Sequence, residues 1–162
     1  MALALQPDIV VSNSGAPSAG SAGDGGRTLR AEATQRGIPS VTVELGNPQV
    51  YQPDMVARGM QGIRNMLPFL KMLPSDAEIE IKHSNLFTCK KSYWLYTSKG
   101  GLLEVPVELG QRLRQGDLIG ILRNPFGEVV EEYFAPDYGV VIGKSTNPVC
   151  PSGGRILHLG VQ

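Results

Sequence analysis

The spacing of apolar residues changes near residue 76, and this change limits the folds that the chain can adopt. Before that point, the sequence predicts two helices, and the longer of them carries apolar residues at helical spacing. After it, short apolar runs are separated by Gly, Pro and Asn, and the whole chain holds 20 Gly and 12 Pro among 162 residues. The sequence therefore predicts part of an α/β domain over residues 1–75 and an all-β domain over residues 76–162.

The first half of the α/β region reads as strand, helix, strand. Asp8–Val11 is short and apolar, which is typical of a buried strand. A helix is predicted over Thr28–Arg36, because Thr28 can cap its start and Gly37 suits the left-handed residue after its end. Val41–Leu45 is rich in β-branched residues and predicts a second strand. This order predicts a parallel crossover.

A longer helix is predicted from Pro53, which suits the first helical turn. Its apolar side chains recur at helical spacing and predict a single stripe that faces a sheet. The stripe comprises Val56, Met60, Ile63, Leu67 and Leu70. Gly59 and Gly62 weaken the helix but permit close packing, and Pro68 is expected to kink or restart it.

Residues 76–162 contain a weak internal repeat. Two segments, beginning near Val107 and near Val140, each run strand, tight turn, short strand, and Gly-centred turn into another strand. Two such halves facing each other across a pseudo-twofold axis give a barrel-sandwich hybrid. The predicted strands are Ile79–Ile81, Tyr93–Tyr96, Gly101–Val107, Leu118–Leu122, Val129–Phe134, Val140–Ile142 and Ile156–Leu159.

The barrel-sandwich architecture is also that of biotinyl and lipoyl carrier domains, which present a modified Lys on a hairpin between the halves. The corresponding hairpin here, Asn124–Glu128, has no Lys. The sequence therefore argues against a carrier function.

Charge and hydropathy exclude several classes of function. Lys plus Arg equals Asp plus Glu, at 15 each, so the basic footprint of a nucleic-acid binder is absent. No stretch approaches the ~20 apolar residues that span a bilayer. The N-terminal residues have neither the basic region nor the apolar length of a signal peptide. These features predict a soluble cytoplasmic protein that binds neither nucleic acid nor membranes.

Metal-ligating residues are sparse. The two histidines, His83 and His158, and the two cysteines, Cys89 and Cys150, do not fall at spacings typical of zinc sites. The sequence also contains no G-x-S-x-G elbow, no P-loop and no dinucleotide fingerprint. We therefore predict no metal site built by this chain.

Two charged residues are candidates for chemistry. Glu44 lies at the carboxyl end of the predicted Val41–Leu45 strand, where ligands of open α/β sheets bind, and a carboxylate there can exchange protons with a substrate. Arg30 lies in the first turns of the short helix, and its guanidinium suits a substrate carboxylate. From the residues alone, a solvated strand-end Glu and a solvated helix Arg remain the commoner alternatives.

The motifs occur in an order that resembles the succinylglutamate desuccinylase/aspartoacylase family. The resemblance rests on the motifs around Arg27–Ala31, Arg36–Gly46 and Gly62–Leu67, and continues through the β region. There it includes Trp94, Gly100–Leu102, Leu109–Gly110, Gly116–Asp117, Pro125–Gly127, Ala135–Pro136, Gly139–Val141 and Asn147–Val149. It covers almost the whole chain, and corresponds to the C-terminal portion of such a protein.

The resemblance implies a zinc carboxypeptidase-like α/β domain followed by a β domain beside the mouth of the active site. Such an enzyme hydrolyses the amide of a small N-acylated amino acid, or a related acyl compound, with zinc as cofactor. The family's T-x-E-x-G strand matches Thr42–Gly46 here, so Glu44 is expected to be the general acid/base. Arg30 matches, more loosely, an Arg that binds the substrate carboxylate.

This chain departs from the family in lacking its His-x-x-Glu pair and later His, which bind zinc upstream of the matched region. Alone, it is therefore expected to be inactive. A sheet without most of its strands would leave an open edge and an uncovered apolar face. The chain is expected to be a fragment, a split gene product, the product of a misplaced start, or one half completed by another polypeptide or a homo-oligomer. The alternative is a non-catalytic β-domain assembly module with a degenerate catalytic remnant.

Overall fold

A computed structural model describes residues 1–12, 28–74 and 86–162, which are mostly β-sheet with two α-helices. The chain divides into two compact units. The first unit comprises residues 1–7 and 13–85, and the second comprises residues 8–12 and 86–162. The predicted domain boundary at residues 75 and 76, like the predicted strand Ile79–Ile81, involves residues outside the described ranges.

The first unit contains a 3-10 helix, Ala2–Leu5, and two α-helices, α1 (Leu29–Gln35) and α2 (Pro53–Phe69). Thr28 is the N-cap of α1, and its Oγ1 accepts a hydrogen bond from the Ala31 backbone N–H at 3.2 Å. Gly37 follows α1 with a φ of 69°, a conformation that glycine adopts without steric cost. The sequence prediction for this helix is confirmed at both ends.

Helix α2 begins at Pro53, as predicted, and packs one side against the 3-10 helix. Gly62 permits this packing, because a Cβ there would lie 3.1 Å from Leu5 Cδ2. Asn65 is buried and its Nδ2 donates to the Ala4 carbonyl at 3.1 Å. Pro68 does not restart the helix, since it lies in the last turn and Leu70 is the C-cap.

The strand predicted at Val41–Leu45 does not form in the structure. Val41, Val43 and Leu45 expose 38%, 48% and 47% of their surface. A β-strand is stabilised by pairing with a neighbour, and the described residues offer this run no partner strand. The prediction that Glu44 ends a strand is therefore also wrong.

The apolar stripe of α2 does not face a sheet, contrary to prediction. Val56, Met60 and Ile63 expose 51%, 50% and 61% of their surface. The helix packs through the neighbouring side that carries Gly62 and Asn65, and that side meets the 3-10 helix. The stripe therefore remains open in the described part of the first unit.

The second unit contains ten strands. They are β1 (Ile9–Val11), β2 (Phe87–Cys89), β3 (Lys91–Tyr96), β4 (Gly101–Glu104), β5 (Arg112–Leu113), β6 (Leu118–Arg123), β7 (Val129–Phe134), β8 (Gly139–Lys144), β9 (Val149–Cys150) and β10 (Arg155–Val161). Alternating apolar residues and frequent turns favour these strands. The sequence prediction located β1, β3, β4, β6, β7, β8 and β10, and its internal repeat expected short strands where β5 and β9 form. It missed β2.

Eight of these strands form two four-stranded sheets with related strand orders, β3-β10-β8-β5 and β7-β6-β4-β9. In each sheet, a long strand of one half pairs with the two-residue strand of the other, since β4 pairs β9 and β8 pairs β5. Exchanging β3–β6 with β7–β10 converts one order into the other. The internal repeat falls within these two sets, with β5 and β6 in its first half and β8, β9 and β10 in its second, but the strand expected near Val107 does not form.

The main core is formed by side chains of both four-stranded sheets. Its fully buried members include Leu113, Ile119, Leu122, Leu157 and Leu159, each at most 1% exposed. Alternation along each strand directs these side chains inward and leaves polar ones outside. Burial of this apolar surface is the principal stabilising term of the second unit.

Strand β1 pairs in parallel with β2, from Ile9 opposite Phe87 to Val11 opposite Cys89. The parallel crossover predicted between Asp8–Val11 and Val41–Leu45 is therefore wrong. A smaller cluster of Phe87, Cys89 and Val140 joins this two-stranded sheet to β8. Local sequence could not reveal this pairing, because the two strands lie far apart along the chain.

Candidate functional site

The two predicted site residues both lie in the first unit. Arg30 is on α1, and its backbone carbonyl accepts a hydrogen bond from Thr34 Oγ1 at 2.9 Å. Ser40 Oγ lies 3.5 Å from the same carbonyl, which connects α1 to the segment that precedes Glu44. Both Arg30 and Glu44 are exposed. The structure thus places them in neighbouring exposed segments.

The carboxylate of Glu44 makes no hydrogen bond or ion pair with any residue that the structure describes. It precedes Gly46, whose φ of 69° turns the chain toward Asn47. That turn is fixed by Gln52, whose Oε1 accepts from the Asn47 backbone N–H at 3.2 Å and whose Nε2 donates to the Asn47 carbonyl at 3.0 Å. Glu44 therefore projects from a segment with a hydrogen-bonded C-terminal turn.

The described residues do not fit a zinc site. Among them, no group of three or more His, Cys, Asp or Glu side chains is placed to hold a metal ion. Cys89 and Cys150 are buried in different apolar clusters, and burial raises the pKa of the Cys89 thiol, which disfavours the thiolate that binds metals. His83 lies outside the described residues.

His158 was expected to face solvent, but it is half-buried by stacking on Trp94. The ring centroids lie 4.9 Å apart at an interplanar angle of 12°. The Arg155 guanidinium also lies over the Trp94 ring, at 4.5 Å from its centroid. These contacts join adjacent strands β3 and β10, so His158 has a structural role here.

A polar network on the second unit was not found from the sequence. Ser98 Oγ and Tyr133 Oη both donate hydrogen bonds to Glu131, and Lys99 Nζ lies 3.9 Å from the same carboxylate. The hydrogen bond from Ser98 is the largest of the influences that lower the pKa of Glu131. Glu131 and Tyr133 share a strand, but Ser98 is distant in sequence, so no local pattern signals the network.

The hairpin Asn124–Glu128, which lacks the Lys of a carrier domain, is a hydrogen-bonded turn. Asn124 Oδ1 accepts from the backbone N–H groups of Phe126 and Glu128 at 2.9 and 3.0 Å. Phe126 at its tip is 90% exposed. The turn therefore presents an aromatic ring where a carrier domain presents its modified Lys.

No helix in the described part of the chain is long and apolar enough to cross a membrane.

Several solved structures share this arrangement of elements. The ectoine utilization protein EutE of Ruegeria pomeroyi matches 98% of this chain over 48% of its own length, with a TM-score of 0.80 and 23% identity. A succinylglutamate desuccinylase from a Silicibacter species matches 98% of this chain over 46% of its own, with a TM-score of 0.75 and 23% identity. A succinylglutamate desuccinylase/aspartoacylase from Rhodobacter sphaeroides matches 96% over 46%, with a TM-score of 0.74 and 18% identity.

This chain has the fold of succinylglutamate desuccinylase/aspartoacylase proteins. The resemblance stated from its motifs is thus confirmed as a likeness of fold. The chain spans about half the length of these solved structures, which agrees with the expectation of a C-terminal portion. No protein-family model matches the sequence, and neither does any curated protein.

Proposed function

We propose that this chain is the C-terminal part of a zinc-dependent hydrolase that cleaves the amide, or ester, of a small N-acylated amino acid or related acyl compound. The likeness of fold to EutE and to a succinylglutamate desuccinylase carries the proposal, since it extends over 98% of the chain. The ordered motifs around Arg30 and Glu44 add to it. One of these neighbours is a succinylglutamate desuccinylase, which supports a small N-acylated amino acid as the substrate.

Glu44 is the proposed general acid/base. Its carboxylate would accept a proton from the attacking water and later donate it to the leaving amine, so that neither hydroxide nor an amide anion forms. The exposed position of Glu44, without a hydrogen-bond partner among the described residues, supports this role. A carboxylate committed to an ion pair would be a weaker base.

Arg30 is the proposed binding residue for the substrate carboxylate. The two N–H groups of a guanidinium edge match the two oxygens of a carboxylate, which orients the substrate as well as binding it. Its place on α1, beside the segment that leads to Glu44, supports this assignment.

Zinc is the cofactor that the resemblance implies, and it would polarise the scissile carbonyl. The described residues of this chain do not fit such a site. We therefore propose that the zinc ligands belong to another polypeptide segment, and that this chain alone is inactive.

A second candidate function is a non-catalytic assembly module. The distribution of burial favours it, because among the described residues every buried apolar side chain except Ala4 lies in the second unit. In that case the second unit would be the functional part, and the segment with Glu44 a degenerate remnant.

Steady-state hydrolysis of N-acyl amino acids, including N-succinylglutamate and an N-acylaspartate, by the complete zinc-loaded enzyme separates the candidates. Glu44→Gln is expected to lower kcat by about 100-fold or more while zinc content is unchanged, because general acid/base catalysis contributes this much. Glu32→Gln is the matched control, since it makes the same change in the first unit at a residue whose carboxylate pairs with Arg36. Full activity of Glu44→Gln would exclude the proposed role, and no activity in the parent enzyme would favour the assembly module.

A further inference from the structure

A single side chain closes the loop between Glu44 and helix α2. Gln52, the N-cap residue of α2, is half-buried and reaches back five residues to Asn47. Its Oε1 accepts from the Asn47 backbone N–H at 3.2 Å, and its Nε2 donates to the Asn47 carbonyl at 3.0 Å. Two residues paired across antiparallel strands exchange the same two kinds of hydrogen bond. The Gln52 side chain therefore gives Asn47 the pairing that a neighbouring strand would give it.

The backbone of this loop is shaped around the Gln52 amide. A Cβ at Gly46 would lie 2.8 Å from both polar atoms of that amide, so a larger residue there would push the amide away from Asn47. Gln49 has a φ of 60°, which is costly for a residue with a side chain and persists only where the surroundings enforce it. Nε2 of Gln52 also donates to the carbonyl of the next residue, Val50, at 3.3 Å. The amide thus holds the loop on either side of its turn.

The Gln52 side chain stabilises the loop rather than the start of the helix. An N-cap side chain ordinarily accepts a hydrogen bond from a backbone N–H of the first helical turn, and Ser, Thr, Asp and Asn are favoured there. Gln52 makes no side-chain hydrogen bond to the described first turn of α2. Helix α2 begins at Pro53, whose ring already fixes a helical φ. Removal of the Gln52 amide should therefore loosen the loop much more than the helix.

The loop determines where Glu44 points. Glu44 lies three residues before Asn47, and residues 41–45 form no backbone hydrogen bond with any other described residue. The carboxylate of Glu44 also has no partner among the described residues that could orient it. Its position therefore depends on the backbone that follows it, and Gln52 holds that backbone at Asn47.

We propose that Gln52 is a positioning residue for Glu44, because its hydrogen bonds to Asn47 fix the backbone from which the Glu44 carboxylate projects. The inference rests on the proposed function, in which Glu44 exchanges protons with the attacking water and the leaving amine. Gln52 itself takes no proton. A misplacement of about 1 Å can cost about 100-fold in rate, so the loss of these bonds should lower kcat. KM should not change, since the proposed carboxylate-binding residue, Arg30, lies on α1.

The first measurement is the NMR order parameter of the Asn47 amide in the full chain. We expect about 0.85 in the parent and less than about 0.6 in Gln52→Ala. Gln61→Ala is the matched control, since it removes another glutamine of α2, whose Nε2 donates to Asn65 Oδ1 at 3.0 Å, and it should leave Asn47 ordered. Gln52→Glu should loosen the loop at neutral pH, because a carboxylate cannot donate to the Asn47 carbonyl. Below about pH 4 the introduced carboxyl is protonated and should restore the order.

The second measurement is steady-state hydrolysis of N-acyl amino acids by the complete zinc-loaded enzyme. Gln52→Ala is expected to lower kcat by about 10-fold or more with KM and zinc content unchanged, which is the signature of a lost transition-state interaction. Gln61→Ala should keep the parental kcat.

The positioning role is overturned if Gln52→Ala leaves Asn47 as ordered as the control does. It is also overturned if Gln52→Ala loosens the loop but leaves kcat at the parental value, or raises only KM, while Glu44→Gln abolishes turnover. Full activity of Glu44→Gln would instead overturn the proposed function, and the positioning role with it, even if the order parameters confirm that Gln52 holds the loop.

Discussion

In the second unit, Leu122, Leu157 and Leu159 are completely buried, whereas in the first unit Val56, Met60 and Ile63 each expose half of their surface or more. The two units have similar kinds of apolar residue, so composition does not explain the difference. Two sheets can enclose a core between themselves, but a helix with one apolar stripe needs another layer. The comparison indicates that the second unit encloses its own core, whereas the described residues of the first unit leave the apolar stripe of α2 uncovered.

The largest expected effect is the difference in unfolding free energy between truncating a buried and truncating an exposed apolar side chain. Leu122→Ala should destabilise the second unit by about 2–5 kcal/mol, because it leaves a cavity in the core. Ile63→Ala, at a 61% exposed position, should change stability by less than about 0.5 kcal/mol. Urea unfolding followed by fluorescence of Trp94 reports on the second unit, and the far-UV helical signal reports on the first. If both variants lowered the free energy of unfolding equally, the contrast between the two units would be contradicted.

A smaller effect is expected at the tight contact between the small sheet and β10. A Cβ at Gly160 would lie 2.4 Å from Cys89 Sγ and 2.7 Å from Ile142 Cδ1. Gly160→Ala should therefore cost about 1–3 kcal/mol in the unfolding free energy of the second unit. Gly143→Ala is the control on adjacent strand β8, where the nearest atom is 3.6 Å away. If Gly160→Ala proved as mild as the control, the second unit would be packed more loosely than the structure indicates.

The N-cap of α1 tests whether the first unit unfolds separately. Thr28→Ala removes the acceptor for the Ala31 backbone N–H and should cost about 1 kcal/mol in local helix stability. The loss should appear as faster amide exchange in α1, with the Trp94 fluorescence transition unchanged. A matching shift of that transition would show that the two units unfold together.

The smallest effect is a loss of stability at alkaline pH in the second unit. Burial and the hydrogen bond from its hydroxyl to Asp137 Oδ2, at 2.5 Å, raise the pKa of Tyr93 to about 12. The folded state holds the Tyr93 proton more tightly than the unfolded state does. The stabilisation of the folded state by this proton is therefore complete below about pH 10 and is lost as pH rises toward 12. Tyr93→Phe should flatten that part of the stability profile, measured by urea unfolding at stepped pH. A parent profile as flat as that of Tyr93→Phe would contradict the assignment.

Features fixed by neighbouring residues could be predicted from the sequence. The cap at Thr28, the left-handed Gly37 and the helix start at Pro53 each depend on local backbone chemistry. The long strands of the second unit followed from alternating apolar runs between turns. The likeness of fold followed from the order of many modest motifs.

Features that depend on distant partners were missed. The parallel pairing of Ile9–Val11 with Phe87–Cys89 and the contact of Ser98 with Glu131 join residues far apart in sequence. Val41–Leu45 has the β-branched residues and the apolar alternation that are typical of a strand. A strand must also pair with a neighbouring strand, and the described residues contain none that pairs with this run. The roles of Glu44 and Arg30 also depend on residues far apart in sequence, and they remain predictions.

The central claim is that the second unit is stable by itself and that the apolar stripe of α2 is not covered by the residues that the structure describes. Native-state amide hydrogen exchange on the full chain tests this claim most directly. The account predicts that amides of β6, β8 and β10 exchange only through global unfolding of the second unit, while amides of α2 exchange by a much easier local opening. Protection of α2 equal to that of β10 in the chain alone would contradict it.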